Sequence, residues 1–96
     1  MKKYSEMNNN DFYVLGRENG YSGNNKVNEI IGALSLKIDK NKLSHRITYY
    51  IYGYKVGVVK RKANSFDIDL DKHTCEVLEM SAKEEAKRLL KKVKHD

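Results

Sequence analysis

The segment RITYYIYGYKVGVVKRK, Arg46 to Lys62, constrains the fold more than any other part of the chain. Its residues alternate on either side of Gly53-Tyr54. A two-residue turn with glycine first has the type II′ preference and joins antiparallel strands. Such a turn pairs Tyr52 with Lys55, Ile51 with Val56, Tyr50 with Gly57 and Tyr49 with Val58. One face then carries Ile47, Tyr49, Ile51, Val56 and Val58. The other carries Arg46, Thr48, Tyr50, Tyr52, Lys55, Gly57 and Val59. A slip of one residue would turn the apolar face outward, so the pattern specifies its own register. The alternation predicts a β-hairpin with one core face and one face of tyrosines beside cations.

The same period recurs downstream. Phe66, Ile68 and Leu70 alternate with Asp67, Asp69 and Asp71. A turn at Asp71-Lys72-His73-Thr74 leads into Cys75 to Leu78, where Cys75 and Val77 join the apolar side. This predicts a second hairpin with an acidic outer face. Asp11 to Leu15 is a short strand candidate, and the glycines and asparagines of residues 16–26 read as a loop. Val27, Ile30, Ile31, Leu34 and Ile38 fit one helical face, while Leu34, Leu36 and Ile38 also alternate. The expectation there is a short helix that passes into a strand near Leu34, with a turn at residues 39–42. Ser81 to Glu84 fits a capping box, and Ala82, Ala86, Leu89, Leu90 and Val93 form an apolar stripe. Glu84 and Glu85 fall in its first turn and Lys91, Lys92 and Lys94 in its last, as the helix dipole prefers. The expected fold class is therefore α+β: a small antiparallel sheet of four or five strands with a C-terminal amphipathic helix on one face. Residues 1–10 read as a flexible tail and residues 11–96 as one globular domain.

Charge is segregated along the chain. The net charge is +6 over 96 residues. Residues 27–62 hold eight Lys or Arg against two acids, whereas residues 63–80 hold one Lys against five acids. Such a distribution speaks to partners rather than to fold. No apolar run approaches the ~20 residues that span a bilayer. Met1-Lys2-Lys3 is followed by polar residues where an export signal needs an apolar segment. The one cysteine, Cys75, excludes an intrachain disulfide. These features predict a cytoplasmic protein with no membrane partner.

No motif names a reaction. Asp67, Asp69 and Asp71 have carboxylate spacing, but Lys72 stands where a calcium loop needs glycine and Leu78 where it needs a bidentate acid. His73 and Cys75 share a strand face, yet no CxxC or HxxxH accompanies them or His45. Gly16, Gly20 and Gly23 form no phosphate-binding fingerprint. No internal repeat is read. The expectation is no enzyme, no metal and no cofactor.

Binding remains. Arg46, Tyr50, Tyr52, Tyr54, Lys55, Lys60, Arg61 and Lys62 form the candidate surface for a partner or for nucleic acid. Bases stack on aromatic rings while cations follow phosphate. Asp67, Asp69 and Asp71 form a second, acidic docking face, and Arg17, Asn19 and Tyr21 a contact loop. An exposed edge strand would also offer a route to a homodimer.

MSAKEEAKRLLKKV, Met80 to Val93, resembles the last helix of double-stranded-RNA-binding domains, which implies phosphate contacts at Lys83 and Lys87. Ala86 comes one residue late, and Glu84 and Glu85 stand where that helix carries cations, so no membership follows. The composition, rich in Lys and Asn without Pro or Trp, resembles accessory proteins of low-GC phages and plasmids. That resemblance implies a small protein that docks on and inhibits a host nucleic-acid-handling or defence protein, as anti-CRISPR proteins do. The partner is then a host protein or a protein–nucleic-acid complex. The alternative is direct nucleic-acid binding through the tyrosine and lysine face.

Overall fold

Asn or Asp side chains start three of the helices in the computed structural model, which describes residues 2–92. Asn8 Oδ1 accepts from the Asp11 N–H at 2.8 Å, and the Asp11 carboxylate accepts from the Asn8 N–H at 3.0 Å. This reciprocal pair opens α1 (Asn9–Ser22). Asp39 accepts from the Lys42 N–H at 2.8 Å and opens α3 (Lys40–Lys62). Asp71 accepts from the Thr74 N–H at 2.7 Å and opens α4 (Lys72–Leu90). Each satisfies one of the N–H groups a helix start leaves unpaired. Between α1 and α3 lies α2 (Val27–Leu34), and a 3-10 turn at Tyr4–Glu6 precedes them all. α1 stops at Gly23, whose φ of 78° lies in the left-handed region that glycine enters without strain. α3 stops at Asn64 (φ 56°), where the Ser65 N–H returns to the Lys60 carbonyl at 3.0 Å.

α1 and α3 touch backbone to backbone. A Cβ placed on Gly16 would lie 2.1 Å from the Tyr50 carbonyl oxygen, and one on Gly20 2.1 Å from that of Tyr54. A Cβ on Gly53 would lie 2.1 Å from the Tyr13 oxygen, and one on Gly57 2.1 Å from that of Arg17. Only glycine fits any of these places. Carbonyl oxygens facing glycine Cα atoms are the arrangement of Cα–H···O contacts. The contacts advance in the same direction along both helices, so α1 and α3 run parallel, and α2 returns the chain between them.

The four glycines belong to an internal repeat that the sequence reading misses. Tyr13-x-x-Gly16-x-x-x-Gly20 and Tyr50-x-x-Gly53-x-x-x-Gly57 have identical spacing. Gly16 meets Tyr50 and Tyr54, and its counterpart Gly53 meets Tyr13 and Arg17, the counterparts of those two. The helix pair is thus quasi-two-fold symmetric about an axis along its length. Small residues at this spacing also bring helices together in membranes. Here no helix among the described residues is long and apolar enough to cross one.

α4 lies antiparallel to α3. The start of α3 (Lys40, Asn41, Ser44) shares a cleft with the end of α4 (Lys87, Leu90, Lys91). Ala82, Ala86 and Leu90 are its buried residues. They join a core built on Phe12, Ile30, Leu34, Leu43, Ile47 and Tyr50.

The structure corrects the expected fold class. It is a small helical bundle, not α+β, and no antiparallel sheet or strand exists among the described residues. The first hairpin lies wholly within α3, and Gly53-Tyr54 is helix interior rather than turn. Leu43, Ile47, Tyr50, Ile51, Gly53, Val56 and Gly57 are buried there. At 100° per residue they cover over half the helix circumference, because α1, α2 and α4 all pack on α3. Such a helix has no clean polar side, and alternation fits it as well as a helical period does. The second hairpin is also absent: residues 65–70 are irregular, and Cys75–Leu78 belong to α4. The strand candidate at Asp11–Leu15 and most of the expected loop at 16–26 are α1. The helix expected from Val27 is present, but the strand near Leu34 is not. The C-terminal helix begins at Lys72 rather than Ser81, which puts Ser81 in its interior. Its stripe holds at Ala82, Ala86 and Leu90, with Leu89 half-buried; Val93 and Lys94 lie outside the described residues. A homodimer through an edge strand loses its strand, and the likeness to double-stranded-RNA-binding domains extends no further than one helix. In residues 1–10, Tyr4 packs on the core and its hydroxyl donates to Glu29 at 2.7 Å. Burial first, and then that carboxylate, push the Tyr4 hydroxyl up to about 12.

Candidate functional site

The tyrosines and cations of α3 point to different parts of the molecule. Tyr50 is fully buried, and its hydroxyl accepts from Asn19 Nδ2 at 2.8 Å and from the Lys26 N–H at 2.9 Å. Burial pushes its pKa up, and these two hydrogen bonds pull against that. Tyr50 and Asn19 therefore tie α3 to α1 and to the start of α2, and neither offers a surface. Tyr52 is half-buried against Tyr13, with ring centroids 5.2 Å apart. Burial, and then the neighbouring Cys75 thiol, raise the Tyr52 pKa. Tyr54 is half-buried beside Tyr50. Lys55 Nζ lies 3.9 Å from the Glu85 carboxylate, and Arg46 donates to the Asn9 side chain.

At the C-terminal ends of α1 and α3 the chain gathers a second group. Phe66 lies 5.1 Å from the Arg17 guanidinium and 5.6 Å from Lys60 Nζ. Tyr21 meets Phe66 edge-on, with centroids 5.2 Å apart. Lys60 donates to the Phe66 carbonyl at 2.9 Å and to the Ile68 carbonyl at 2.8 Å. The linker 63–71 is thereby strapped across the bundle end. The Arg61 guanidinium sits against Gly23, at the negative end of the α1 dipole. Arg61 and Lys62 are exposed. So Arg17, Tyr21 and Lys60 come together as the sequence pairs no strand to do, while Arg46, Tyr50, Tyr52 and Tyr54 join other neighbourhoods. His45 and His73 are exposed on different helices, and no group of three metal-ligating side chains occurs among the described residues.

The surface that stands out is the outer side of α4. None of Lys72–Ser81 is buried. Val77 is 51% exposed and Met80 67% exposed. At 100° per residue Val77 lies about 140–180° from Ala82, Ala86 and Leu90, and Met80 lies about 160° from Ala82 and about 120° from Ala86, on the flank nearer Leu90. Glu76 and Glu84 lie one turn before and one turn after Met80, on the same row. Asp67 and Asp69 are exposed on the adjoining linker, and Asp71 caps the helix. The Thr74 backbone N–H and hydroxyl hold the Asp71 carboxyl below its ordinary value. The acidic face expected from Asp67, Asp69 and Asp71 therefore exists as a linker and helix start rather than a strand. The expected strand turns its apolar centre inward, with Val77 in the core and no role for Met80. The signal that finds both is a helical wheel begun at Lys72, where they fall opposite the alanines.

Comparison with protein-family models, with curated proteins and with solved structures gives no match.

Proposed function

We propose that the chain is a small non-enzymatic docking protein that acts in the cytoplasm. It occupies and inhibits a host nucleic-acid-handling or defence protein, in the manner of phage and mobile-element accessory proteins such as anti-CRISPRs. One observation carries this reading: Val77 and Met80 stand exposed together on the outer side of α4, whereas the other large apolar side chains left exposed among the described residues, Leu36, Tyr49 and Ile68, stand on separate segments. Covering them gains about 1–2 kcal/mol each, the scale of an interface anchor. The carboxylates around them favour a basic surface, which proteins that handle nucleic acid carry. Direct nucleic-acid binding has less support. Tyr50 has no exposed ring, and Tyr52 and Tyr54 are half-buried against other side chains. Lys60 is engaged with the linker carbonyls.

The test places a photo-cross-linking residue at Met80 and, as control, at the exposed Gly32. Each protein is irradiated in host lysate, and the captured protein is purified and titrated. The expected result is a nucleic-acid-handling partner captured from position 80 only. The intact chain inhibits its activity, and Met80→Asp weakens binding about tenfold or more. Equal capture from both positions would overturn the reading. So would tight binding of DNA or RNA at ~50 mM salt that is lost at ~200 mM.

A further inference from the structure

The outer face of α4 also carries information about the chemistry of its partner. We infer that this face receives a cationic amphipathic helix of the partner protein, with an apolar stripe set on Val77 and Met80 and lysines or arginines over Glu76 and Glu84. The inference rests on the docking reading of the same face. Residues 63–80 carry one Lys against five acids, and from His73 to Glu84 three acids, Glu76, Glu79 and Glu84, stand against one cation, Lys83, in a chain whose net charge is +6. Among the described residues, Asp67, Asp69, Glu76 and Glu79 make no ion pair. Glu84 has one, 3.9 Å from Lys87, with both side chains about 70% exposed. A contact that open holds a carboxylate weakly. The acids are therefore available to a partner.

Shape narrows the class further. Val77 and Met80 form a ridge on a single helix, and a ridge packs into the groove of another helix. From His73 to Glu84 the face is about 18 Å long, which suits a helix of three turns. A basic helix of this kind normally meets phosphate, so its capture by carboxylates would block the partner's access to nucleic acid. A second copy of the chain is a poorer fit. The later half of the same face holds Lys87, Arg88 and Lys91, without an apolar anchor to complete the ~800 Å² per partner of a stable interface.

The test uses three labelled helical peptides of about 18 residues. One has a leucine stripe flanked by lysines, one the same stripe flanked by glutamates, and one lysines without the stripe. Fluorescence anisotropy is read against the full chain and against Met80→Asp and Glu76→Lys/Glu84→Lys, all exposed changes checked for helicity. The expected result is that the Lys/Leu peptide binds at least about tenfold tighter than either control. Each variant should cost about tenfold, the scale of an interface anchor. No Lys/Leu binding, equal Glu/Leu binding, or indifference to both variants would overturn the inference. So would self-association of the chain, seen by sedimentation, that Met80→Asp abolishes. If these peptides fail while cross-linking from position 80 still finds an inhibited partner, the docking reading stands and the cationic helix falls. If both fail, both fall.

Discussion

Replacing Gly53 with alanine should loosen the whole bundle. The new Cβ meets the Tyr13 carbonyl oxygen at 2.1 Å and the Arg17 nitrogen at 3.0 Å, both backbone atoms of α1. No side chain is there to rotate away. To reach an ordinary contact the helices must part by about 1 Å, and overpacking of this kind costs about 3 kcal/mol. Parting them also weakens, without abolishing, the Cα–H···O contacts at Gly16, Gly20 and Gly57, at about 1 kcal/mol for the three together. The better helix propensity of alanine returns about 1 kcal/mol. The net loss is about 3 kcal/mol, a large share of the ~5–15 kcal/mol of a domain this size. Thermal unfolding followed by circular dichroism at 222 nm should show a Tm lower by about 12–24 °C. Gly32→Ala is the opposite case, since nothing lies within 4 Å of its Cβ. It should raise Tm by about 4–8 °C, from about 1 kcal/mol of propensity. The quasi-symmetry requires Gly16→Ala to behave like Gly53→Ala. A Gly53→Ala protein as stable as the parent would refute the close helix pair.

Three further outcomes follow from the same packing. Tyr50→Phe removes the acceptor for Asn19 Nδ2 and the Lys26 N–H, and should cost about 1–3 kcal/mol by urea denaturation. Asp71 has a folded pKa below its ordinary value of about 4, so its stabilisation is present above that value and lost as pH falls through the folded one. Asp71→Ala should thus lower Tm at pH 7, with the gap to the parent closing in acid, whereas Asp71→Asn keeps a cap and loses that pH dependence. Phe66→Ala removes the ring from Arg17, Lys60 and Tyr21, at about 0.5–1 kcal/mol for each cation–π contact. Amide exchange should quicken in the 63–71 linker and leave the centre of α3 protected; unchanged linker exchange would argue against the strap.

How much of this was legible in the sequence depends on how many neighbours each helix has. α2 and the end of α4 bury one side each, so Val27, Ile30, Ile31 and Leu34, and likewise Ala82, Ala86 and Leu90, announce a helical period. α3 has helices on several sides, so its buried positions wrap around it and its tyrosines and β-branched residues look like strand. Tertiary packing overrides that local preference. Glycine misled for a related reason. At 16, 20, 53 and 57 it marks a close helix approach, yet singly Gly16 and Gly20 look like loop residues, Gly53 like a turn and Gly57 like a gap on a strand face. Only the shared Y-x-x-G-x-x-x-G spacing betrays it. Asp39 and Asp71 look like turn residues in the sequence, because the same side-chain oxygen that favours a turn also caps a helix. The acidic character of 67–71 was plain from sequence, whereas the anchors Val77 and Met80 become visible only once the strand gives way to a helix.

The most direct measurement for the docking face is amide chemical-shift mapping of the ¹⁵N-labelled chain during titration with the Lys/Leu peptide. The account predicts shifts centred on residues 73–84 of α4, with the α1/α3 glycine contact undisturbed. Shifts centred instead on Arg17 and Lys60–Lys62, or on the cleft of Lys40, Lys87 and Lys91, would contradict it.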